Sequence, residues 1–197
     1  MVFLRSPFGA EPIAPIEAGT VILRIPAMAD FEAWAALRAQ SREFLKPWEP
    51  CWPQDDLGRL AFRSRIKRYQ KDIQSDTAYP FFVFRAGDGV LTGAVTLSNV
   101  RRGVAQMASL GYWTGAPFVR QGLMTAAVTA VCQFGFSHQR LHRIEAACLP
   151  TNLASTGLLR KCGFQQEGYA RRYLRIDGRW QDHLLFALLD DEAGPAV

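Results

Sequence analysis

The stretch that decides the fold is LGYWTGAPFVRQGLMTAAVT, residues 110–129. Its first four residues suit a buried strand, Gly115 and Pro117 predict a turn, and Leu123 begins an apolar run with helical spacing. The stretch therefore predicts a strand, a tight loop and a helix in succession. Because a helix N-terminus presents unpaired N–H groups and partial positive charge, the end of this loop suits an anion, most often a phosphate.

The absence of two known phosphate-binding motifs narrows the class of phosphate ligand. The sequence has no GxxxxGK followed by Ser or Thr and no GxGxxG after a first strand, which excludes nucleoside-triphosphate loops and dinucleotide folds. A single glycine between a strand and a helix is also what an ordinary turn requires. The N–H groups expected to converge on the anion are those of Arg120, Gln121, Gly122, Leu123 and Met124.

More specific motifs follow the helix. RIEAACL (143–149) predicts a strand, and PTNLASTGLLRKCGFQQEGY (150–169) predicts a helix that leads into another strand. With EGYARRYL (167–174), DGRWQDHLLFALL (177–189), FLKPWEP (44–50) and SNVRRG (98–103), this order resembles the GNAT acyltransferase superfamily, and within it the RimJ/RimL-type ribosomal-protein N-acetyltransferases, on the RimJ branch. The similarity covers about residues 18–190. It departs at the phosphate loop, where the family has Gln or Arg, then Gly, then Gly or Ala, against Val119, Gly122 and Met124 here.

The resemblance implies a mixed α/β GNAT fold. Its sheet is mostly antiparallel and twisted, with about seven strands, and is splayed between strands four and five, with helices on both faces. Length and composition indicate one domain over residues 1–197, with residues 1–17, rich in proline and small residues, as a loose arm.

The individual patterns predict strands over residues 21–25, 80–85, 90–97 and 106–114, and helices after Asp30, over 55–71 and over 123–136. Asp30 is the expected N-cap, and Leu57, Leu60, Ala61, Ile66 and Tyr69 are the expected inward residues of the second helix. Gly89 and the pair Asp177-Gly178 predict hairpin turns.

The cofactor implied by the resemblance is acetyl-CoA. Its pantetheine arm would lie in the splay and bond to β-strand backbone as an added strand, with the pyrophosphate at Gly122. The side chains of Arg120 and Thr125 either contact phosphate or lie on the surface. The residues expected to bind the cofactor are Gly111, Tyr112, Trp113, Val119, Arg120, Gln121, Gly122, Leu123, Met124, Thr125, Asn152 and Ser155.

The expected reaction is direct attack of an amine on the thioester. A backbone N–H near Tyr112 is the candidate donor to the oxyanion. Many superfamily members protonate the leaving thiolate with a tyrosine seven residues after the motif asparagine, but that residue here is Leu159. The RimL-type alternative is Ser155, which otherwise is a helix hydroxyl bonded to backbone. Asn152 is a helix N-cap, a cofactor contact or both.

The amine must lose a proton before it attacks. At pH 7 this costs about 1 kcal/mol for an α-amine and roughly 4.6 kcal/mol for a lysine. The sequence offers Glu49, in the wall of the acceptor cleft, as the leading base, followed by Glu145, Asp182 and His183, each of which has an alternative structural role. Because these are weak candidates for a base, the sequence predicts acetylation of a protein N-terminus, and the resemblance implies that the acceptor is a ribosomal protein.

Other functions and partners are weighed against this one. The alternatives are acetylation of a small amine, such as a drug or polyamine, and a non-catalytic acyl-CoA-binding module for ribosome assembly. Tyr173, Arg101 and Arg102 are further candidates for contact with the substrate. A net charge of +5 without a clustered basic run favours an acidic cofactor over nucleic acid.

Composition bounds the remaining classes. The four cysteines, Cys51, Cys132, Cys148 and Cys162, lie singly, which predicts reduced core thiols and neither a zinc site nor a disulfide framework. No apolar run is long enough for a membrane span and no leader pattern is present, so we expect a cytoplasmic monomer or dimer.

Overall fold

One mixed sheet of eight strands forms the frame of the computed structural model, which describes residues 13–192. The spatial order is β1-β2-β3-β4-β5-β6-β8-β7, and every neighbouring pair is antiparallel except β5 and β6. The strands are β1 (Ile16–Ala18), β2 (Val21–Arg24), β3 (Tyr79–Arg85), β4 (Leu91–Arg101), β5 (Met107–Thr114), β6 (Arg143–Cys148), β7 (Gln165–Ile176) and β8 (Arg179–Leu189).

Helices cover both faces of this sheet, as the sequence predicts. They are α1 (Phe31–Gln40), α2 (Arg42–Leu45), α3 (Arg59–Gln74), α4 (Leu123–Ser137) and α5 (Leu153–Lys161). Strand β3 shows why two layers are needed, since alternate residues of a strand point to opposite faces. Phe81 and Val83 pack into the core beneath α4 and α5, whereas Phe82 and Phe84 pack against α1 and α3.

The parallel pair β5–β6 ends before either strand does. Its register runs from Met107 opposite Arg143 to Leu110 opposite Ala146 and stops there. Beyond that point β5 continues to Thr114 along β4, and β6 continues to Cys148 along β8. The two central strands therefore diverge, which confirms the predicted splay and leaves a gap beside Gly111.

Three details of the prediction need correction. The sheet has eight strands rather than about seven, because Ile16–Ala18, at the end of the predicted arm, pairs with β2; residues 1–12 lie outside the described range. Asp30 precedes α1 but does not cap it, since its carboxylate accepts hydrogen bonds from the Ala27 N–H and the Arg24 guanidinium. Helix α3 begins at Arg59, and Leu60 is 80% exposed instead of inward.

Candidate active site

The free edge of β5 forms one wall of the gap. The Gly115 N–H donates to the Thr92 carbonyl of β4 at 2.8 Å, and alternate residues of an antiparallel strand bond to the same neighbour. Trp113 and Gly111 therefore direct their backbone groups to β4, whereas Tyr112 and Thr114 direct theirs into the gap. Gly111 adds space, because a Cβ built there would meet nothing within 4 Å.

The N-terminus of α4 closes one end of this gap. Gly122 precedes the helix with φ of +77°, a left-handed conformation that favours glycine. The first hydrogen bond into the helix runs from the Ala126 N–H to the Gly122 carbonyl at 3.1 Å. Within residues 13–192, the N–H groups of Gly122, Leu123, Met124 and Thr125 donate to no other group. The geometry fits a phosphate, as the sequence predicts.

Side chains contribute little to this anion site. Leu123 and Met124 are 5% and 6% exposed and belong to the core, so only their backbone groups face the loop. Arg120 is exposed and has φ of +61°, and the Gln121 side-chain amide donates to the Pro117 carbonyl. Val119 is 36% exposed. The departure from the family loop at Val119 and Met124 thus leaves the backbone donors intact.

Two hydroxyls meet across the gap. Tyr112 on β5 and Ser155 on α5 lie 43 residues apart in sequence, yet the Tyr112 hydroxyl is 2.7 Å from Ser155 Oγ. The Asn152 side chain holds α5 in place by accepting the Ser155 N–H at 3.0 Å, which confirms its role as N-cap. Burial raises the pKa of the Tyr112 hydroxyl, so this group stays protonated at neutral pH.

The protonated tyrosine has a consequence for its partner. If Tyr112 donates its proton to Ser155 Oγ, the hydrogen of Ser155 is left to point elsewhere. The residue at the usual tyrosine position, Leu159, is fully buried in the core and cannot serve as a donor. The described chain therefore brings together Tyr112 and Ser155, and no tyrosine follows Asn152 in the same helix.

A cleft of about 390 Å³ lies next to β5, on the face of the sheet that packs against α1 and α3. Its walls come from α1, the segment after α2, α3 and strands β3 to β5. The lining residues are Trp34, Arg38, Glu49, Pro50, Cys51, Trp52, Pro53, Asp56, Arg65, Tyr69, Phe82, Ala94, Thr96, Gly111, Tyr112 and Trp113. The FLKPWEP segment thus lines a cleft that reaches the splayed strand.

Glu49 lies in this cleft, and its carboxylate already accepts three hydrogen bonds. Its two carboxylate oxygens each accept a hydrogen bond from the Arg38 guanidinium at 2.7 Å, and the Trp52 indole N–H donates to one of them at 2.7 Å. Arg38 is 7% exposed and stacks on Trp52 at 3.9 Å and on Trp113 at 4.8 Å. The carboxylate is fixed in position, with one lone pair free for a further donor.

The other candidate bases do not line the cleft. Glu145 pairs with Arg143 at 2.9 Å. Asp182 accepts from the Tyr169 hydroxyl and the Arg172 N–H, and His183, 2% exposed, contacts Tyr173 and the Gln181 carbonyl. None of these side chains lines the cleft.

The arginine doublet is also engaged elsewhere. Arg102 forms an ion pair with Asp76 at 2.6 Å and bonds to the Gln139 carbonyl, and the Arg101 guanidinium lies against the Met107 sulfur. Because Arg101 is opposite Met107, where β5 begins, the doublet lies toward the closed end of the β5–β6 pair.

The cysteines and the acidic and histidine side chains of the described residues form no metal site. Cys132 and Cys148 are buried and Cys162 is half-buried, but Cys51 is exposed, which corrects its prediction as a core thiol. Among the described residues no group of His, Cys, Asp or Glu has the arrangement to hold a metal ion. No helix in residues 13–192 is long and apolar enough to span a membrane.

Comparison with known proteins agrees with this geometry. The family model for the acetyltransferase (GNAT) domain matches residues 20–165. The probable N-acetyltransferase YjcK of Bacillus subtilis is 36% identical over 90% of this chain and 99% of its own length. The [ribosomal protein uS5]-alanine N-acetyltransferase of Escherichia coli is 36% identical over 84% of this chain and 87% of its own length.

A solved structure is similar over nearly the whole fold. Mycobacterium smegmatis RimJ, in complex with CoA-disulfide, superposes with a TM-score of 0.86 at 33% identity, covering 93% of this chain and 89% of that chain. The chain therefore belongs to the GNAT acetyltransferase family. It is an acetyl-CoA-dependent acetyltransferase, similar to the ribosomal-protein N-acetyltransferases.

Arg38 is the site residue that the sequence did not reveal. It lies in α1, where it is buried together with Trp34 and Leu37. An arginine on the apolar face of a predicted helix, followed by an aromatic segment that contains a glutamate, was the available signal. Its partners Glu49 and Trp52 become apparent only when the chain turns through residues 42–58.

Proposed function

We propose that this enzyme acetylates the N-terminal α-amine of a protein, with a ribosomal protein as the natural acceptor. The observation that carries the proposal is the cleft beside β5, whose two carboxylates, Glu49 and Asp56, are each already held by an arginine. A carboxylate so engaged is a weak base. An α-amine, which costs about 1 kcal/mol to deprotonate at neutral pH, tolerates that better than a lysine.

The proposed coenzyme site is formed by backbone groups of β5 and of the N-terminus of α4. Tyr112 and Thr114, whose backbone groups face the gap, would hold the pantetheine arm along the free edge of β5; Gly111 and Trp113, which were also expected to bond it, direct their backbone groups to β4 instead. The N–H groups from Gly122 to Thr125 would hold the pyrophosphate. When bound, acetyl-CoA supplies a thioester whose carbonyl carbon accepts the amine. The Tyr112 N–H, which points into the gap, is the proposed donor to the developing oxyanion.

Ser155 is the proposed proton donor to the leaving sulfur. The Tyr112 hydroxyl lies 2.7 Å from Ser155 Oγ, and we take the tyrosine as the donor of this pair, which leaves the serine hydrogen to face the gap. This role differs from a structural helix hydroxyl, because the Ser155 side chain bonds to a residue of another element and its backbone N–H is already capped by Asn152. Tyr112 is thus a positioning residue through its hydroxyl and a catalytic one through its N–H.

Glu49 receives the acceptor amine. Its remaining lone pair can accept a hydrogen bond from the attacking nitrogen, either directly or through one water, while Arg38 and Trp52 keep the carboxylate from rotating. The cleft disfavours a polyamine, because Asp56, its other carboxylate, pairs with Arg65 at 2.9 Å. The relative named [ribosomal protein uS5]-alanine N-acetyltransferase supports the ribosomal acceptor in this proposal, and a cytoplasmic location would suit such an acceptor.

The test compares two peptides of equal length. One has a free N-terminal alanine and no lysine, and the other has a blocked N-terminus and one internal lysine. We expect acetylation of the first only, with mass spectrometry placing the added group on the α-amine. Equal turnover of the blocked peptide would overturn the proposal.

A second measurement tests the proposed role of Ser155. Ser155→Ala should lower kcat and leave the Kd for coenzyme A unchanged. Ser64→Ala, at an exposed position on α3, is the matched control. If neither change affects kcat, Ser155 is not the donor.

A further inference from the structure

The outer part of the β7–β8 hairpin, residues 171–181, is strongly basic and aromatic. Four arginines, Arg171, Arg172, Arg175 and Arg179, are set against one carboxylate within this segment, Asp177, and a second one at its inner end, Asp182, which attracts Arg171 and Arg172. In the described chain the side chains of these arginines form no ion pair. By contrast, the arginines that line or brace the cleft, Arg38 and Arg65, are both paired.

Exposed apolar groups accompany this charge. Trp180 is 63% exposed, Tyr173 49% and Leu174 40%. Arg175 and Trp180 lie opposite each other in the β7–β8 register, so their side chains share one face of the hairpin. Arginine and tryptophan are both enriched at protein–protein interfaces.

The tip of this hairpin touches the acceptor cleft. The Asp177 N–H donates to the Glu49 carbonyl at 2.9 Å, and the Cys51 sulfur lies 3.5 Å from where a Cβ on Gly178 would be. A second hollow of about 200 Å³ lies between this tip and α2, and Arg42, Lys46, Cys51 and Asp177 are among its lining residues. The hollow and the cleft share Pro50, Cys51 and Trp52 as a common wall.

Within this hollow Arg42 and Lys46 are balanced by two acidic residues, Glu43 and Asp177. The excess positive charge that an acceptor chain would meet beyond the wall therefore comes from the hairpin arginines. Arg42 and Lys46 are exposed, without ion-pair partners among residues 13–192, and extend the basic surface of the hairpin. We define the docking surface as Arg42, Lys46, Arg171, Arg172 and Arg175, together with Trp180; Arg179 is opposite Ile176 and lies on the other face of the hairpin. Its charge is complementary to an acidic polypeptide.

We propose that this docking surface binds an acidic segment of the acceptor protein, a few residues after the amine that is acetylated. The inference rests on the proposed function and adds a specificity determinant to it. A polypeptide fits better than RNA, because the surface begins at the cleft mouth, where the remainder of the acceptor chain must lie. Carboxylates would pair with the arginines, and an apolar side chain would cover Trp180.

The test uses two peptides with identical first four residues. Residues five to nine are rich in glutamate in one peptide and carry glutamine at the same positions in the other. We expect kcat/KM about tenfold higher for the glutamate peptide at low salt, through KM and not kcat, since several exposed ion pairs act together. The preference should fall toward unity at about 0.5 M salt, because screening weakens exposed pairs.

Charge reversal locates the effect. Arg171→Glu combined with Arg175→Glu should remove or reverse the preference and leave kcat on the glutamine peptide unchanged. Arg63→Glu combined with Arg140→Glu makes the same charge change at exposed arginines outside the docking surface and should preserve the preference. Circular dichroism establishes that both variants are folded.

The outcomes are distinct. If wild-type protein acetylates both peptides equally, the docking proposal is wrong and the proposed function stands. If neither peptide is acetylated, the proposed function fails and the docking proposal fails with it. If the hairpin variant keeps the peptide preference but loses affinity for a short single-stranded RNA, the surface serves nucleic acid instead.

Discussion

The two sides of β5 are built from different kinds of atoms. On the coenzyme side, the groups that face the gap are peptide N–H and carbonyl groups, and the nearby side chains of Leu123 and Met124 are turned into the core. On the acceptor side, the cleft is shaped by interlocked side chains, with Arg38 joined to Glu49, Trp52 and Trp113. A substitution should therefore be costly on the acceptor side and mild on the coenzyme side.

The largest effect should come from Arg38→Ala. Removing the guanidinium leaves Glu49 and the Trp52 ring without their partner in a mostly buried setting, and breaking such a pair costs about 3 kcal/mol of folding free energy. Urea denaturation measures the loss. The double variant Arg38→Ala with Glu49→Ala should recover part of it; a double variant as unstable as the sum of the two single variants would show that the pair is not coupled.

Ser155→Ala and Tyr112→Phe test the contact that joins the two sides. We expect Ser155→Ala to lower kcat about 100-fold, the lower range for loss of a general acid, and Tyr112→Phe to lower it less, because the serine hydroxyl remains but is no longer oriented. The Kd for coenzyme A should change by less than about twofold in both. A Tyr112→Phe variant with unaltered kcat would assign the hydroxyl a structural role only.

Gly122→Val tests the backbone side. With φ of +77° at this residue, a β-branched side chain strains the loop by about 1–2 kcal/mol, which should raise the Kd for coenzyme A about tenfold. Calorimetric titration measures the change. The control is Val119→Ala with Gln121→Ala, which removes side chains and keeps every N–H; it should leave the Kd nearly unchanged, and a large rise would contradict the backbone account.

The smallest predicted effect is on folding stability at alkaline pH. Burial raises the pKa of Tyr112 above that of a free tyrosine, which ionises near pH 10. The unfolded chain therefore loses this proton first, and the stability due to the neutral tyrosine is present below about pH 10 and lost as pH rises further. Tyr112→Phe should show a shallower loss of stability between pH 8 and 11, measured by urea denaturation. A loss identical to that of the wild type would contradict this.

Sequence reasoning was most accurate where local signals were strong. Residues 110–129 contain a strand, a turn and a helix in the predicted order, and β6, the α5 cap and the last hairpin turn are where the motifs indicated. The short strand Ile16–Ala18 was missed because three residues give no clear alternation. For α3 the predicted inward face is largely confirmed, because Ile66 is buried and Leu57 and Tyr69 pack against the same cluster. Leu60 was misplaced: it is 80% exposed, and Phe62 contributes to the buried face instead.

Contacts between distant residues could not be predicted. The proximity of Tyr112 and Ser155 depends on how α5 leaves β6, and no spacing rule encodes a contact across 43 residues. Glu49 was recognised as an acidic residue in an aromatic segment, but its pairing with Arg38 depends on the path of residues 42–58. Ionic partners of this kind depend on tertiary packing, which a single sequence does not reveal.

The divergence of β5 from β6 leaves an unsatisfied edge in the interior of a sheet, where edges are otherwise confined to the outermost strands. Natural proteins usually shield such edges, since an open ladder invites pairing with a foreign chain. Here the coenzyme would take the place of the missing strand, so that it acts as a structural component as well as a reactant. At a ligand concentration of 100 times the Kd it would add about 2.7 kcal/mol to stability. The enzyme's resistance to aggregation should then depend on how well the cell supplies coenzyme A.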